Sequence, residues 1–301
     1  MAVIRLSELQ APPEGTSVAL GFFDGFHLGH QAILEAATAS ELRPIAFTFR
    51  NHPASVVAAE RVPPLLTDFR ERIELLEEAG CDVVWVDFDR PFSLLEPAAF
   101  EDELLVKHLR AARVVTGHNY RYGHKASGDA ASLRNSGKFS VVTVDPVYAD
   151  GELVSSTRVR ALVSDGRVAD AAGLLGRPFR LSSRVERGDR LGRELGVPTA
   201  NLALPLEKAY PHFGIYAVWV RRGPGAPPLP AVASLGVRPT VKIQGVPLLE
   251  VHLLDFEGDL YGEQLSVDFV DWIREERKFD GLEALKQQMG RDLQSARQRL
   301  A

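Results

Sequence analysis

Two histidines separated by Leu28 and Gly29, His27 and His30 in the stretch GFFDGFHLGH, are the first side chains of this chain whose types and spacing suit chemistry. They stand where the apolar run Val18-Ala19-Leu20 gives way to helix-forming residues, so they mark a strand-to-helix junction. A helix N-terminus offers unpaired N–H groups and the positive end of its dipole to a phosphate. Gly29 lets a nucleotide come close to the backbone, and two imidazoles can donate hydrogen bonds to phosphoryl oxygens as charge builds in a transition state. The competing reading is two packing histidines around a turn made by Gly25 and Gly29. A metal site needs a third ligand, for which Asp24 is the only nearby candidate.

Three further groups stand out. VSSTRVR puts Ser155, Ser156 and Thr157 at an expected helix start with Arg158 and Arg160 following, a set that suits a triphosphate tail or, equally, an ordinary cap with exposed arginines. GHNYRYGHKASGD, residues 117–129, is a polar loop after a strand, in which Asn119, Tyr120, Arg121 and Tyr122 are able to bind a base or another aromatic ligand or simply to pack. GDRLGRELGVPTAN, residues 188–201, combines Gly188, Gly192 and Gly196, which let backbone approach phosphates, with Thr199 and Asn201, whose oxygens suit Mg²⁺. Beyond it Glu250 interrupts the apolar run PLLEVHLL, either as the polar face of an edge strand or as a base.

The elements that must position these groups differ between the halves. In the first, TSVALGF, RPIAFTF, CDVVWVDF, RVVTGH and FSVVTVDPV alternate with helix-period segments, which predicts a mostly parallel sheet with helices on both faces and ligands beyond the carboxyl ends of its strands. Asp68 to Ala79 reads as a helix with Asp68 and Glu71 as a capping pair and Gly80 as terminator, and PAAFEDELLVKHL as a helix opened by Pro97. From about Arg180 strand-like runs follow one another with Pro- and Gly-rich turns, which predicts an antiparallel sheet or small barrel. The chain ends on an amphipathic helix, with Asp280 and Glu283 as its expected caps. LLGRPF marks the seam, giving domains 1–178 and 179–301.

The chain's 301 residues, 45% of them hydrophobic, suffice for one large domain or two ordinary ones with real cores. A net charge of −5 argues against a protein built to wrap nucleic acid, while small phosphate ligands remain open. The single cysteine, Cys81, can form no internal disulfide and reads as structural. No basic-then-apolar leader opens the sequence, and no apolar run approaches the about 18 residues of a membrane span, so a soluble cytoplasmic protein is expected.

GFFDGFHLGH, FTFRNHP, GHNYRYGHKASGD and VSSTRVRALVSDGRVADAAGLLGRPF together resemble the adenylyltransferase half of the bacterial bifunctional riboflavin kinase/FAD synthetases, and GDRLGRELGVPTAN, Glu250 and IREERKF resemble the kinase half. The resemblance implies a Rossmann-like nucleotidyltransferase domain with a parallel sheet, followed by an antiparallel β-barrel kinase domain with a terminal helix. It implies that riboflavin is phosphorylated to FMN in the second domain and that FMN is adenylylated to FAD, with release of pyrophosphate, in the first. Carried over by residue, Glu250 is the kinase base, Thr199 and Asn201 bind Mg²⁺ and ATP phosphates with Gly192, and Arg274 lies near the flavin. In the first domain His27 and His30 are catalytic, Gly21, Phe22, Asp24, Gly29, Ser156, Thr157 and Arg160 bind ATP, and Asn119 and His52 lie at the flavin. Departures from the family pattern are Asn119 for a frequent Asp, Arg190-Leu191 for a frequent Gly-Arg, and Arg50 for a frequent acidic residue. ATP is the co-substrate, Mg²⁺ the metal, and riboflavin, FMN and FAD the other ligands; a monomer or weak homo-oligomer is expected, with no nucleic-acid or membrane partner. The rival readings are an adenylyltransferase for another phosphate ester and a non-catalytic flavin-binding regulator.

Overall fold

The computed structural model describes residues 1–12, 14–187, 197–223, 225–237 and 247–301. Gly188, Arg190, Leu191, Gly192 and Gly196 therefore lie outside the described residues. The chain divides into two compact units, Met1–Ser156 and Thr157–Ala301.

The first unit is built on six parallel strands: β1 (Val3–Arg5), β2 (Thr16–Leu20), β3 (Arg43–Phe49), β4 (Asp82–Val86), β5 (Ala111–Gly117) and β6 (Ser140–Val144). They lie in the order β1-β4-β3-β2-β5-β6. From β2 the chain moves to β3 on one side, whereas β5 lies on the other, so the strand order reverses at β2 and opens a crevice beyond its carboxyl end. Residues buried on both faces explain the continuous apolar runs. Val18 and Leu20 pack into one core with Ile45, Phe47, Phe100 and Leu105, and Ala19 and Ala46 into the other with Ile33, Leu34, Ile73 and Leu76. Helix α1 (Leu28–Thr38) and helix α2 (Phe69–Glu78) supply that second core. Helix α2 begins with the expected capping box: Asp68 accepts from Glu71 N at 2.8 Å and Glu71 Oε2 accepts from Asp68 N at 3.1 Å. The segment opened by Pro97 departs from expectation after one turn, because Phe100–His108 is wound as a π-helix that closes with Leu109 N donating to Leu104 O at 2.9 Å.

Helix α3 (Ser156–Ser164) leads into helix α4 (Val168–Leu175), whose Val168, Ala171, Leu174 and Leu175 are buried at helical spacing. Helix α4 packs on the first and last strands of the barrel that follows, so by packing the units divide earlier than the 178/179 seam. The barrel is closed and antiparallel: β7 (Phe179–Glu186), β8 (Ala200–Ala203), β9 (Gly214–Arg221), β10 (Leu229–Val237), β11 (Pro247–Leu253) and β12 (Gln264–Arg274), in the order β7-β8-β11-β10-β9-β12. Closure removes every edge, so Glu250 is not an edge-strand residue: β11 lies between β8 and β10. Alternation fills the barrel with Leu249, Val251, Ala233, Val218, Phe269 and Leu181 and turns Glu250 and His252 outward. Helix α5 (Leu282–Leu300) packs on β9, β10 and β12. Its N-cap is Gly281 at φ 148° with no side-chain cap, so the expected Asp280–Glu283 pair is not formed.

Candidate functional sites

The loop after β2 is held tightly. Asp24 is 3% exposed, and its carboxylate accepts from Leu66 N at 3.0 Å, Thr67 N at 3.0 Å and Thr67 Oγ1 at 3.2 Å. Its carbonyl accepts from Ser156 Oγ at 2.9 Å. Asp24, expected at the phosphates, thus spends its carboxylate on the loop at 66–67 and brings Ser156 to the histidine loop through its backbone. Gly25 stands at φ 81° with Leu66 packed where a Cβ would go, which fixes glycine there.

The turn then delivers His27 as the N-cap of α1: its carbonyl accepts from His30 N at 2.8 Å and Gln31 N at 3.0 Å. One helical turn brings the two imidazoles face to face, with centroids 3.7 Å apart and planes 17° apart. Gly29 between them leaves room for the His27 ring, which a Cβ there would meet closely at 3.2 Å. Burial, then His27, then Arg72 hold His30 well below its ordinary 6.5, so the imidazole is neutral at neutral pH and carries one N–H. His30 Nδ1 is buried and has no hydrogen-bond partner among the described residues.

Other expected residues are placed as follows. Gly21 N donates to Phe47 O at 3.3 Å, which keeps the loop on β3. The ring of Phe22 meets His52 edge-on at 4.8 Å and carries the Arg72 guanidinium at 4.2 Å, so its face is occupied by protein. His52 Nδ1 accepts from Ala54 N at 3.1 Å and closes the turn after β3. Asn119 is exposed in the loop after β5. Thr157 is exposed and Arg160 half-buried on α3, in the second compact unit.

Beyond the carboxyl ends of β3, β4 and β5 lies a cavity of about 450 Å³, which brings Tyr120, Arg121 and Tyr122 of the polar loop together with phenylalanines that the motifs did not mark. Its walls are rings, Phe49, Phe88, Phe92, Phe100, Tyr120 and Tyr122, and its rim carries Arg90, Arg121, His124 and Lys125. A volume in the range of small-ligand pockets with aromatic walls and several cations suits a flat ring bearing an anionic tail. Tyr122 serves the core as well, its hydroxyl hydrogen-bonded to Glu101 Oε1 at 2.5 Å. The phenylalanine signal is scattered: these rings come from three separate segments, and FTF, FDRPF and the Tyr120–Tyr122 loop each hint that rings gather at strand ends.

In the second unit the barrel register aligns the expected residues. Glu250 on β11 stands opposite Asn201 on β8 and Ser234 on β10, and Ser234 in turn opposite Ile215, which pairs with Arg274 on β12. Paired residues share a face, so this row runs across the outside of the barrel. It floors a cavity of about 620 Å³ that includes Thr199, Ser234, Glu250 and His252 and is roofed by Phe279 with Leu285, Met289 and Leu293 of α5. Thr199 also lines a second cavity of about 530 Å³ with Asn201, Glu257, Asp259 and Tyr261. Thr199 thus stands on the wall between an apolar cavity and a more polar one. Arg274, expected at the flavin, lines the first cavity but gives its guanidinium to Asp292 of α5, with Nη2–Oδ2 at 2.7 Å and Nε–Oδ1 at 2.9 Å. Ser234 Oγ donates to Glu276 Oε1 at 3.1 Å, a neighbour of Glu250 that motif reading also passed over.

Among the described residues no group of three His, Cys, Asp or Glu forms a metal cage. Thr199 and Asn201 supply hard neutral oxygens, a donor set that suits a magnesium ion arriving with nucleotide phosphates and waters rather than an all-protein site. No described helix is long and apolar enough to cross a membrane.

Residues 9–158 match the family model for FAD synthetase, and residues 175–300 that for riboflavin kinase. The bifunctional riboflavin kinase/FMN adenylyltransferase of Escherichia coli K12 is 41% identical over 298 residues, covering 96% of this chain and 94% of its own. That of Listeria monocytogenes is 36% identical over 288 residues, covering 93% and 91%. A crystal structure described as a macrolide-efflux protein from Streptococcus pneumoniae superposes with a TM-score of 0.88 at 31% identity, covering 99% of both chains. The chain belongs to the family of bifunctional riboflavin kinase/FMN adenylyltransferases.

Proposed function

We propose that this chain makes FAD from riboflavin in two displacements at phosphorus, with adenylyl transfer assigned to residues 1–178 and kinase chemistry to 179–301. In the first reaction the terminal ribityl hydroxyl of riboflavin attacks the γ-phosphorus of ATP. The bond to the bridging oxygen breaks, ADP leaves, and the hydroxyl proton passes to Glu250. The observation that carries this reading is the register that sets Glu250 against Asn201 beside Thr199, which puts a base next to phosphate-binding oxygens at the junction of two cavities. The apolar cavity under α5 takes the flavin, and the one with Asn201 takes the nucleotide. Thr199 and Asn201 would hold Mg²⁺ with ATP. Bound there, the ion neutralises phosphate charge.

In the second reaction an FMN phosphate oxygen attacks the α-phosphorus of another ATP and expels pyrophosphate. That nucleophile is already anionic, so no base is required, and the work is positioning and charge stabilisation. His27, His30 and the N-terminus of α1 serve the phosphates, with Ser156 held to the same loop; Thr157 and Arg160 are assigned to ATP by the family resemblance alone. The ring-walled cavity takes the isoalloxazine, with Asn119 and His52 on flanking loops. Asp24 and Gly21 hold the loop, and Arg274 acts by anchoring α5. A cytoplasmic setting fits these substrates.

The test is to incubate the purified chain with riboflavin, ATP and Mg²⁺ and follow FMN and FAD by chromatography. Glu250→Gln is expected to lose FMN formation by about 10²–10⁴-fold, the usual contribution of a general base, while converting added FMN to FAD. His30→Ala is expected to do the reverse. Absence of both products in the unmodified chain, or equal loss of both activities in each variant, would refute the assignment.

A further inference from the structure

Arg72, on α2, is a wholly buried charge at 0% exposure. Its Nη2 donates to Phe49 O at 2.7 Å and to Arg50 O at 3.1 Å, both at the end of β3. The guanidinium lies 4.2 Å over the ring of Phe22, the residue that meets His52 edge-on. Nε and Nη1 are buried with no hydrogen-bond partner among the described residues. Keeping a cation in such a place is costly, since a buried charge is tolerated when it is paired or hydrogen-bonded throughout. Core packing alone is served as well by Met or Leu.

We propose that Arg72 is a positioning residue for adenylyl transfer, one that locks the end of β3 and the Phe22–His52 ring pair to the histidine loop and sets a fixed positive charge beside that loop. This rests on the adenylyl-transfer reading given above. The charged groups around it are Asp24 on the loop and Asp68 at the start of α2, which both favour its cation, and His27, which acts with it on His30. Glu71 is engaged in the capping box, and the Arg50 guanidinium lies over the rings of Phe69 and Trp85 at 6.0 and 5.9 Å. Burial lowers Arg72 to about 10, so it stays charged at neutral pH. A fixed cation beside His30 disfavours the imidazolium, so the site meets an incoming phosphate with a neutral N–H donor whose state does not change as pH falls toward 6.5.

The experiment compares the full-length chain with Arg72→Met and Arg72→Lys. The His30 imidazole is titrated by NMR without substrate, its resonance assigned with His30→Ala, and FAD formation from FMN, ATP and Mg²⁺ is measured against pH. Loss of the cation raises the His30 midpoint in Arg72→Met. The acid limb of FAD formation then moves up with it, with roughly a tenfold loss of rate at the acid end for each unit moved. Arg72→Lys keeps a charge and restores the limb. A His30 midpoint and acid limb unmoved in Arg72→Met, or Arg72→Lys behaving as Met does, would overturn the proposal. Denaturant unfolding of the first unit, followed at the His27 and His30 resonances, reports its folding; should Arg72→Met not fold, Arg72→Gln, which keeps N–H donors without the charge, replaces it, with a raised His30 midpoint and acid limb expected and an unmoved pair overturning the proposal. An unmodified chain that makes no FAD removes the adenylyl-transfer reading and this proposal with it, whereas normal FAD formation with an unmoved His30 removes the role of Arg72 alone.

Discussion

Replacing Asp292 by Asn tests whether the flavin cavity of the kinase unit depends on one buried ion pair. Asp292 is 5% exposed on α5 and receives Arg274 through Nε and Nη2 and Gln288 through Nε2 at 2.7 Å. Gln288 in turn accepts from Arg291 Nη2 at 2.8 Å and from Arg277, so one carboxylate organises the approach of α5 to the end of β12. Asparagine keeps the shape but removes the charge and turns N–H groups toward a guanidinium. Breaking a buried pair from one side costs about 3–5 kcal/mol. The Arg274 side chain is 19% exposed and keeps its bond to Glu275 O at 2.7 Å, so water and that carbonyl recover part of the loss. We expect about 2–3 kcal/mol, which lowers the melting temperature of this unit by roughly 4–12 °C. The same change loosens Leu285, Met289 and Leu293 over the cavity, so under the proposed assignment of flavin and base KM for riboflavin rises while kcat changes little. Calorimetry and flavokinase kinetics read the two effects. A second variant replacing the pair by Met at 274 and Leu at 292 recovers most of the stability, because apolar groups of similar size substitute well for a buried pair. An Asp292→Asn protein with unchanged melting and unchanged KM would refute the view that this pair holds the roof.

Asp68→Ala removes the carboxylate that accepts from Glu71 N in the capping box on α2, while Asp68 N can still donate to Glu71, and is expected to cost about 1 kcal/mol in denaturant unfolding of the first unit. Gly25→Ala forces a side chain onto φ 81° and sets a Cβ 2.7 Å from Leu66 Cδ1. We expect about 2 kcal/mol of destabilisation and a far larger loss of FAD than of FMN formation in paired assays. Cys81 is buried, and burial with the nearby Asp82 pushes its thiol up to about 12. The native chain at pH 8 should therefore resist thiol reagents that label it at once in denaturant, and rapid native labelling would contradict that burial.

Where a residue's partners lie nearby in sequence, the sequence was legible. The runs TSVALGF and RPIAFTF read as buried parallel strands because both faces are covered, and Asp68 and Glu71 read as a capping box because the whole device spans four positions. Asp24 was read as facing a phosphate or metal because its partners, Leu66 and Thr67, are some forty residues away and nothing local announces them. PAAFEDELLVKHL has the apolar spacing of an α-helix, and nothing in that spacing announces the π winding that places Phe100 and Leu104 in the core. Glu250 was found by its type, yet its position between Ser234 and Asn201 depends on strand register, which a lone sequence does not encode in any local pattern. Arg72 carries no mark in the motifs, although its place beside Ile73 and four residues before Leu76 puts it on the covered side of α2.

The two units solve opposite problems of charge. An alcohol must lose its proton to attack, so a kinase is served by a carboxylate near neutral oxygens and under apolar cover, and in the proposed assignment that carboxylate is Glu250, paired in register with Asn201 and Ser234. A phosphate monoester attacks as an anion, and a carboxylate at the same place would repel it. In the proposed assignment the histidine loop meets that demand with N–H groups and a helix N-terminus, while its own carboxylate, Asp24, is tied to Leu66 and Thr67. Chemistry that moves a proton and chemistry that gathers negative charge favour different surroundings.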